Sequence, residues 1–262
     1  MRKITFTNET NGNAVSFSTD DSTMFLEDFD GNTCPSTAVT YKPAEYDGQR
    51  FISANLNART ITFTVNFTAT SDGKHSYSGA AEKWDEIQAV FVPGQYGTLV
   101  WADGTNSRQI RCRTEGTPCP ALKCRPSLFT ATFSLVADKP LWYDTVANTI
   151  EITGSYTVYT INNDCGIAVP FVLDVDLYAP FIYSNTAETG LAFSSECSSG
   201  VTVDTDECTV YCGDELVNNL LTASSEFFKI LPGANVIQVL PGIGSGGGTG
   251  TLTWYKAYMG VL

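Results

Sequence analysis

The sequence predicts a mainly β protein of two domains, a small barrel carrying one helix and then a β-sandwich. Three observations carry that expectation. Apolar and polar residues alternate with a period of two along most of the chain, as strands with one buried face require. A single stretch in the first half has helical periodicity instead. The charge also changes abruptly near the middle. Residues 1–141 hold 13 Lys and Arg against 15 Asp and Glu, whereas residues 142–262 hold 2 against 13, of a formal total of −13 over 262 residues. Such a shift predicts a boundary in "ADKPLWYD", with domains at 1–141 and 142–262.

The strands of the first domain follow in order. In "KITFTN", Ile4 and Phe6 alternate with Thr5 and Thr7. In "RTITFTVNFTA", Ile61, Phe63, Val65 and Phe67 alternate with Thr62, Thr64, Asn66 and Thr68. "GTLVWADGTNSRQIRCR" reads as a hairpin that turns at Asp103-Gly104 and returns through Ile110 and Cys112. "SLFTATFSLVAD" gathers Phe129, Ala131, Phe133 and Leu135 on one face. The helix lies in "SGAAEKWDEIQAVFVPG", from Ala80 to Phe91, with Ser78 as N-cap and Pro93-Gly94 as the stop. Trp84, Ile87, Val90 and Phe91 form its apolar stripe. Trp84 and Phe91 are expected to plug the open end of the barrel.

The second domain has strand signals almost throughout, in "NTIEITGSYTVYTI", "PFVLDVDLYA", "PFIYSN", "GLAFSS", "VTVDTDECTVYC", "NVIQVL" and "GTLTWYKAYM". Turn signals recur about every ten residues, a spacing typical of a sandwich. A turn of helix is expected around Leu216 to Leu221.

Hydrophobic residues make up 43% and charged residues 16% of the chain, the balance of an ordered globular protein. No apolar run reaches the ~18 residues of a membrane helix, so no membrane insertion is expected. The acidic second half disfavours nonspecific binding to nucleic acid. The start "MRKITFTNET" lacks an apolar signal core, which predicts synthesis in a reducing cytoplasm. The eight cysteines, Cys34, Cys112, Cys119, Cys124, Cys165, Cys197, Cys208 and Cys212, form no C-x-x-C knuckle, and His75 is the only histidine. No metal site is therefore expected.

Candidate chemistry is thin. Gly242, Gly244 and Gly247 fit G-x-G-x-x-G, but the Thr-rich, Tyr-rich stretch after them reads as a strand, where a phosphate loop would open a helix. The expectation is a long hairpin loop between the last two strands. "EDFDGNT" places Asp28 and Asp30 in an acidic turn without the full calcium-loop spacing. Asp204, Asp206 and Glu207 read as a solvated loop. Asp174 and Asp176 share one strand face, the solvent face, and nothing marks them as acid and base. No G-x-S-x-G is present, and Ser or Cys catalysis would rest on His75 alone, in a polar loop. No nucleophile–base pair can be assembled, so the sequence predicts neither an enzyme nor a cofactor site, and no catalytic, cofactor or metal residues are assigned. Arg108, Arg111, Arg113, Lys123 and Arg125 form a basic cluster, either ordinary surface charge or a docking face for an acidic neighbour.

The order of parts resembles the distal tail proteins of long-tailed bacteriophages. The segments that carry the resemblance are "GQRFISANLNARTITFTVNF", the helix "KWDEIQAVFVPG", the following hairpin, and "SLFTATFSLVADKPLWYD", which ends at Asp-x-Pro-x-Trp. Near the C-terminus, "FFKILPGANVIQV" places an aromatic pair before Leu-x-Gly-x-Asn, and "GTLTWYKAYM" closes the chain. The resemblance implies an N-terminal split β-barrel with one helix and a C-terminal galectin-like β-sandwich. It implies a virion protein assembled in the host cytoplasm, present as a homohexameric ring at the tail tip or baseplate. Its partners would be the tail tube protein, the tail hub protein, and receptor-binding or fibre proteins, with DNA passing through the lumen. The first domain would form the ring and the second would project outward. The stretch "CRTEGTPCPALKC" departs from the family pattern, and residues 112–126 are expected to act as an inter-subunit arm. The rival expectation is a carbohydrate-binding sandwich, with Tyr156, Tyr159, Tyr178 and Tyr183 as sugar platforms.

Overall fold

A computed structural model describes residues 1–42, 47–68, 70–71, 74–123, 127–154, 157–197, 199–241 and 248–261. The chain divides into two compact units, Met1–Thr145 with Met259–Leu262, and Val146–Tyr258. The protein is mainly β.

In the first unit β1 (Lys3–Asn8), β2 (Ala14–Ser18) and β3 (Met24–Asp30) precede a separate hairpin, β4 (Ser36–Tyr41) and β5 (Arg50–Leu56). Then come β6 (Arg59–Phe67), the short pair β7 (Thr70–Ser71) and β8 (Lys74–His75), and helix α1 (Tyr77–Val90). β9 (Tyr96–Ala102), β10 (Ser107–Thr114), β11 (Ala121–Leu122), β12 (Phe129–Ala137) and β13 (Trp142–Asp144) complete the unit. Seven strands close into a barrel in the order β12-β6-β3-β2-β1-β9-β10, with β10 pairing back to β12. Two seams are thin. β2 meets β3 in parallel through Ser18 and Phe25, and β10 meets β12 through Arg113–Val136 and Thr114–Leu135.

The alternation read from the sequence sets the barrel interior. β6 buries Arg59, Ile61, Phe63, Val65 and Phe67, and β12 buries Ala131, Phe133 and Leu135 opposite them. Phe6, Phe17, Phe63, Phe91 and Phe133 form one aromatic cluster, with Phe91 4.5 Å from Phe133 and 4.7 Å from Phe6 between ring centroids. Burying each such ring contributes roughly 1.5–3 kcal/mol. Gly97 is required by this packing, since a Cβ there would lie 2.4 Å from the Phe6 ring.

Helix α1 supplies Ile87, Val90 and the capping residue Phe91 to the core. Trp84 is only half-buried and stacks on Phe67 at 5.5 Å, so the plug is made chiefly by Phe91. The N-cap is Ser76, where the sequence pointed to Ser78. The Ser76 hydroxyl accepts from the Gly79 amide at 3.3 Å, and Ser78 lies inside the first turn. The extended backbone of Ser76 suits it to the cap.

The second unit holds β14 (Asn148–Gly154), β15 (Thr157–Asn163), β16 (Phe171–Val175), β17 (Phe181–Ser184), β18 (Thr189–Ala192), β19 (Val201–Asp204) and β20 (Thr209–Cys212). It continues with β21 (Glu215–Leu216), a 3-10 turn at Asn218–Leu220, β22 (Gly233–Leu240), β23 (Gly248–Trp254) and β24 (Ala257–Tyr258). The expected helical turn is that 3-10 turn. β14-β23-β16-β19-β20-β21 form one antiparallel sheet and β15-β22-β17-β18 the other, a sandwich. Leu173, Val203, Val210 and Leu252 of one sheet and Ile161, Ile182, Leu191 and Ile237 of the other are buried.

The glycine run at 242–247 lies outside the described residues. Its flanking strands correct one expectation. β22 and β23 belong to different sheets, so the run joins a sheet-to-sheet crossover and not a hairpin. Both strands bury alternate residues, which sequence periodicity alone cannot assign to separate sheets.

Candidate functional site

The most exposed apolar surface in the first unit is the β4–β5 hairpin. Every residue of both strands is exposed. The strands pair only with each other, from Ser36–Leu56 to Tyr41–Arg50, with a bulge at Val39/Thr40. Phe51 is 66% exposed and Ile52 62%, and Ile52 is the extra residue that the bulge inserts. Val39 and Tyr41 add further exposed surface. Its base is tied down by the Asn57 amide, which donates to Pro35 O at 2.9 Å, and by Asn57 Nδ2, which donates to Thr37 Oγ1 at 2.7 Å. An isolated two-stranded ribbon is marginal in water, and large exposed apolar side chains on one call for a covering partner. In the sequence, "GQRFISANLNARTITFTVNF" stands only as part of a pattern. Alternation could not reveal that β5 is uncovered, because exposure depends on what packs against a strand.

Residues 259–261 are locked to the first unit. Arg59 is fully buried, with Nη1 donating to Gly31 O at 2.8 Å and Nη2 to Met259 O. The Trp142 indole donates to the same Gly31 carbonyl at 3.0 Å. Asn32 Oδ1 accepts from the Val261 amide at 2.8 Å, and Arg108 Nη1 donates to Gly260 O at 2.5 Å. The charge shift assigns 142–262 to one domain, whereas Met259–Leu262 group with the first unit.

The basic cluster is largely spent inside the first unit. Arg111 makes a forked pair with Glu9, its Nη2 2.8 Å from Oε2, and lies 4.4 Å over the Tyr96 ring. The hydrogen bonds to Glu9 push the Arg111 pKa up. Lys123 pairs with Glu27 at 2.5 Å, and that hydrogen bond holds the Glu27 carboxyl below its ordinary range. Arg113 lies 3.8 Å from Asp138, whose carboxylate accepts from the Tyr96 hydroxyl at 2.5 Å and raises the Tyr96 pKa. Arg125 lies outside the described residues. Of the two readings of the cluster, ordinary paired surface charge fits better than an open docking face. Strand pairing sets these partners, and linear sequence hides them.

The cysteine-bearing stretch after β10 is anchored to its own barrel. Cys112 is buried on β10, and burial pushes its thiol up to about 12. The Glu115 amide donates to Ser134 O at 3.0 Å, and β11 pairs with β12. Cys119 and Leu122 face solvent, and 124–126 lie outside the described residues.

Among the described residues no group of three or more His, Cys, Asp and Glu converges as metal ligands would. Asp28 and Asp30 lie on β3, paired with β6, and not in the expected turn, with Asp28 Oδ1 accepting from the Phe29 amide and Asp30 Oδ1 from the Asn32 amide, and Asp174 and Asp176 are exposed. Asp204 Oδ1 accepts from the Asp206 and Glu207 amides at 2.8 and 3.1 Å, turning the chain between β19 and β20. β8 includes His75, placing it on a two-residue strand.

In the second unit the Phe181 and Tyr183 rings stack at 5.9 Å beside an open cleft of about 380 Å³, which Glu188 and Glu226 also line. Tyr178 is exposed, and the Tyr159 hydroxyl accepts from the Thr153 amide. Tyr156 lies outside the described residues.

No protein-family model matches the chain, and no curated protein matches its sequence. Solved structures do match its fold. The SPP1 Dit (gp 19.1) protein, described as a paradigm of the hub adsorption apparatus in phages infecting Gram-positive hosts, aligns with a TM-score of 0.70 at 13% identity, over 97% of this chain and 99% of that one. A chain of the phage P2 baseplate in its activated conformation with Ca aligns with a TM-score of 0.51 at 8% identity, over 100% of both chains. The same baseplate with Sr gives equal values. At these identities the likeness is one of fold.

Proposed function

We propose that this chain is a structural, non-catalytic subunit of a bacteriophage tail tip or baseplate. It assembles as a homohexameric ring that joins the tail tube to the tail hub and carries receptor-binding or fibre proteins. The ring lies in the virion after assembly in the host cytoplasm, and DNA crosses its lumen. The first unit builds the ring and the second projects outward. The observation that carries this reading is the end-to-end likeness to the SPP1 Dit protein, which spans both units in order.

The β4–β5 hairpin supplies a physical means of assembly. Covering Phe51 and Ile52 with a neighbouring copy would contribute roughly 3–6 kcal/mol per contact before the costs of association. A contact between unlike surfaces repeated by rotation closes a ring.

Light scattering with negative-stain microscopy tests the reading. Six copies of 28.3 kDa, about 170 kDa, in a ring with an open lumen are expected. A monomer that stays single even when mixed with its tail tube protein would overturn it. A second reading, saccharide binding by the second unit, is favoured by the stacked Phe181 and Tyr183 beside two carboxylates. A glycan array without signal would remove it.

A further inference from the structure

Cys197 and Cys212 are neighbours beneath the surface of the second unit. Cys212 ends β20 and lies opposite Val201 of β19 in the antiparallel register. Cys197 lies on the segment leading into β19, fixed by its amide, which donates to Tyr178 O at 2.6 Å. Burial first, and the nearby Cys212 side chain second, push the Cys197 pKa up. Ser199 brackets the pair, with its hydroxyl 3.4 Å from Cys212 Sγ and its carbonyl accepting from that thiol at 3.9 Å. The cysteines are 6% and 8% exposed, and Val201, Val203 and Val210 around them are fully buried. Packing and strand register thus deliver two thiols to one place, without a metal-ligand cluster around them among the described residues.

We propose that Cys197 and Cys212 form an intramolecular disulfide when the protein meets an oxidising environment, clamping β20 to the segment before β19. The oxidant is a low-molecular-weight disulfide such as oxidised glutathione. One cysteine thiolate attacks a glutathione sulfur and expels one glutathione thiolate. The second cysteine then attacks the mixed disulfide, forms the Sγ–Sγ bond and releases the second glutathione. The two cysteines lose two protons and two electrons, and the glutathione disulfide gains both pairs. Only a thiolate attacks, and burial pushes the Cys197 thiol up to about 11, so closure is slow at neutral pH. The pair therefore stays reduced in a cytoplasm and closes during long exposure outside one. The inference stands apart from the ring reading, since it concerns contacts within one chain.

The test uses the full chain, reduced and then incubated with oxidised glutathione at pH 7, 8 and 9. Free thiols are alkylated, and the protein is cut after Glu207 and Tyr211, which separates Cys197, Cys208 and Cys212. A linked Cys197–Cys212 peptide is expected, forming faster at each higher pH. The closed 16-residue loop, Cys197 through Cys212, should raise the Tm by roughly 5–10 °C, reversed by dithiothreitol. The Cys212→Ser variant should lose that rise, and if it fails to fold, the wild-type peptide map still decides. Recovery of both cysteines as alkylated thiols at every pH, or in bridges to other cysteines, would overturn the proposal.

Discussion

β5 and β6 are neighbours in the chain, separated by Asn57 and Ala58 alone, and both are rich in apolar residues. Their fates differ completely. β6 buries every second residue and pairs with β3 on one side and β12 on the other. β5 pairs only with β4 and leaves Phe51, Ile52 and Leu56 in solvent. The first strand holds the fold together. The second contributes little to it and leaves its apolar surface uncovered by the described residues. Apolar content alone therefore does not separate a core strand from an exposed one.

Four substitutions or titrations sharpen that contrast. The largest effect is expected from Phe63→Ala on β6, which removes a ring stacked 5.0 Å from Phe133. Loss of about 3–5 kcal/mol is expected in urea denaturation, and a change below 1 kcal/mol would mean that the core does not rest on this cluster. Arg59→Met, also on β6, removes the donors to Gly31 O and Met259 O. A cost of about 2–3 kcal/mol is expected, with faster hydrogen exchange at the Val261 amide. Unchanged exchange there would separate the arginine from the tail it holds.

A smaller effect concerns the β9–β10 turn. Amide hydrogen bonds from Asn106 and Thr105 lower the Asp103 carboxyl from 3.8 to about 2. A carboxyl depressed on folding stabilises the protein above its unfolded pKa and loses that stabilisation as pH falls through the folded one. The Tm difference between wild type and Asp103→Ala should be constant above pH 5 and vanish between about pH 4 and 2. A difference that persists below pH 2 would point to a different cause. The smallest stability effect belongs to the double substitution Phe51→Ser with Ile52→Ser on β5. Stability should move by less than about 0.5 kcal/mol, while ring assembly is lost. Rings that survive would show that the hairpin is not the joint.

Much of the fold was legible because one-sided burial writes itself into the chain as alternation. Ile61, Phe63, Val65 and Phe67 face inward as their spacing required, and Leu99, Trp101, Ile110 and Cys112 do so across the hairpin. The helix was legible from the stripe of Ile87, Val90 and Phe91, but its cap was displaced by two residues. Ser76 and Ser78 have the same hydroxyl chemistry, and only backbone geometry decides between them. The candidate assembly surface was far less legible. Nothing local distinguishes Phe51, which is exposed, from Phe63, which is buried.

The sequence by itself determined the β class, the helix, many of the strands and the unequal division of charge. Those are local properties of period, propensity and composition. The tertiary structure alone decided which strands became neighbours. It sent β22 and β23 to opposite sheets, paired Arg111 with Glu9 across 102 positions, and brought Val261 back to Asn32. It also set the thiols of Cys197 and Cys212 together. The physical reason is that pairing and burial are long-range outcomes of closing sheets around a core, and a residue's own neighbours in the chain do not encode them.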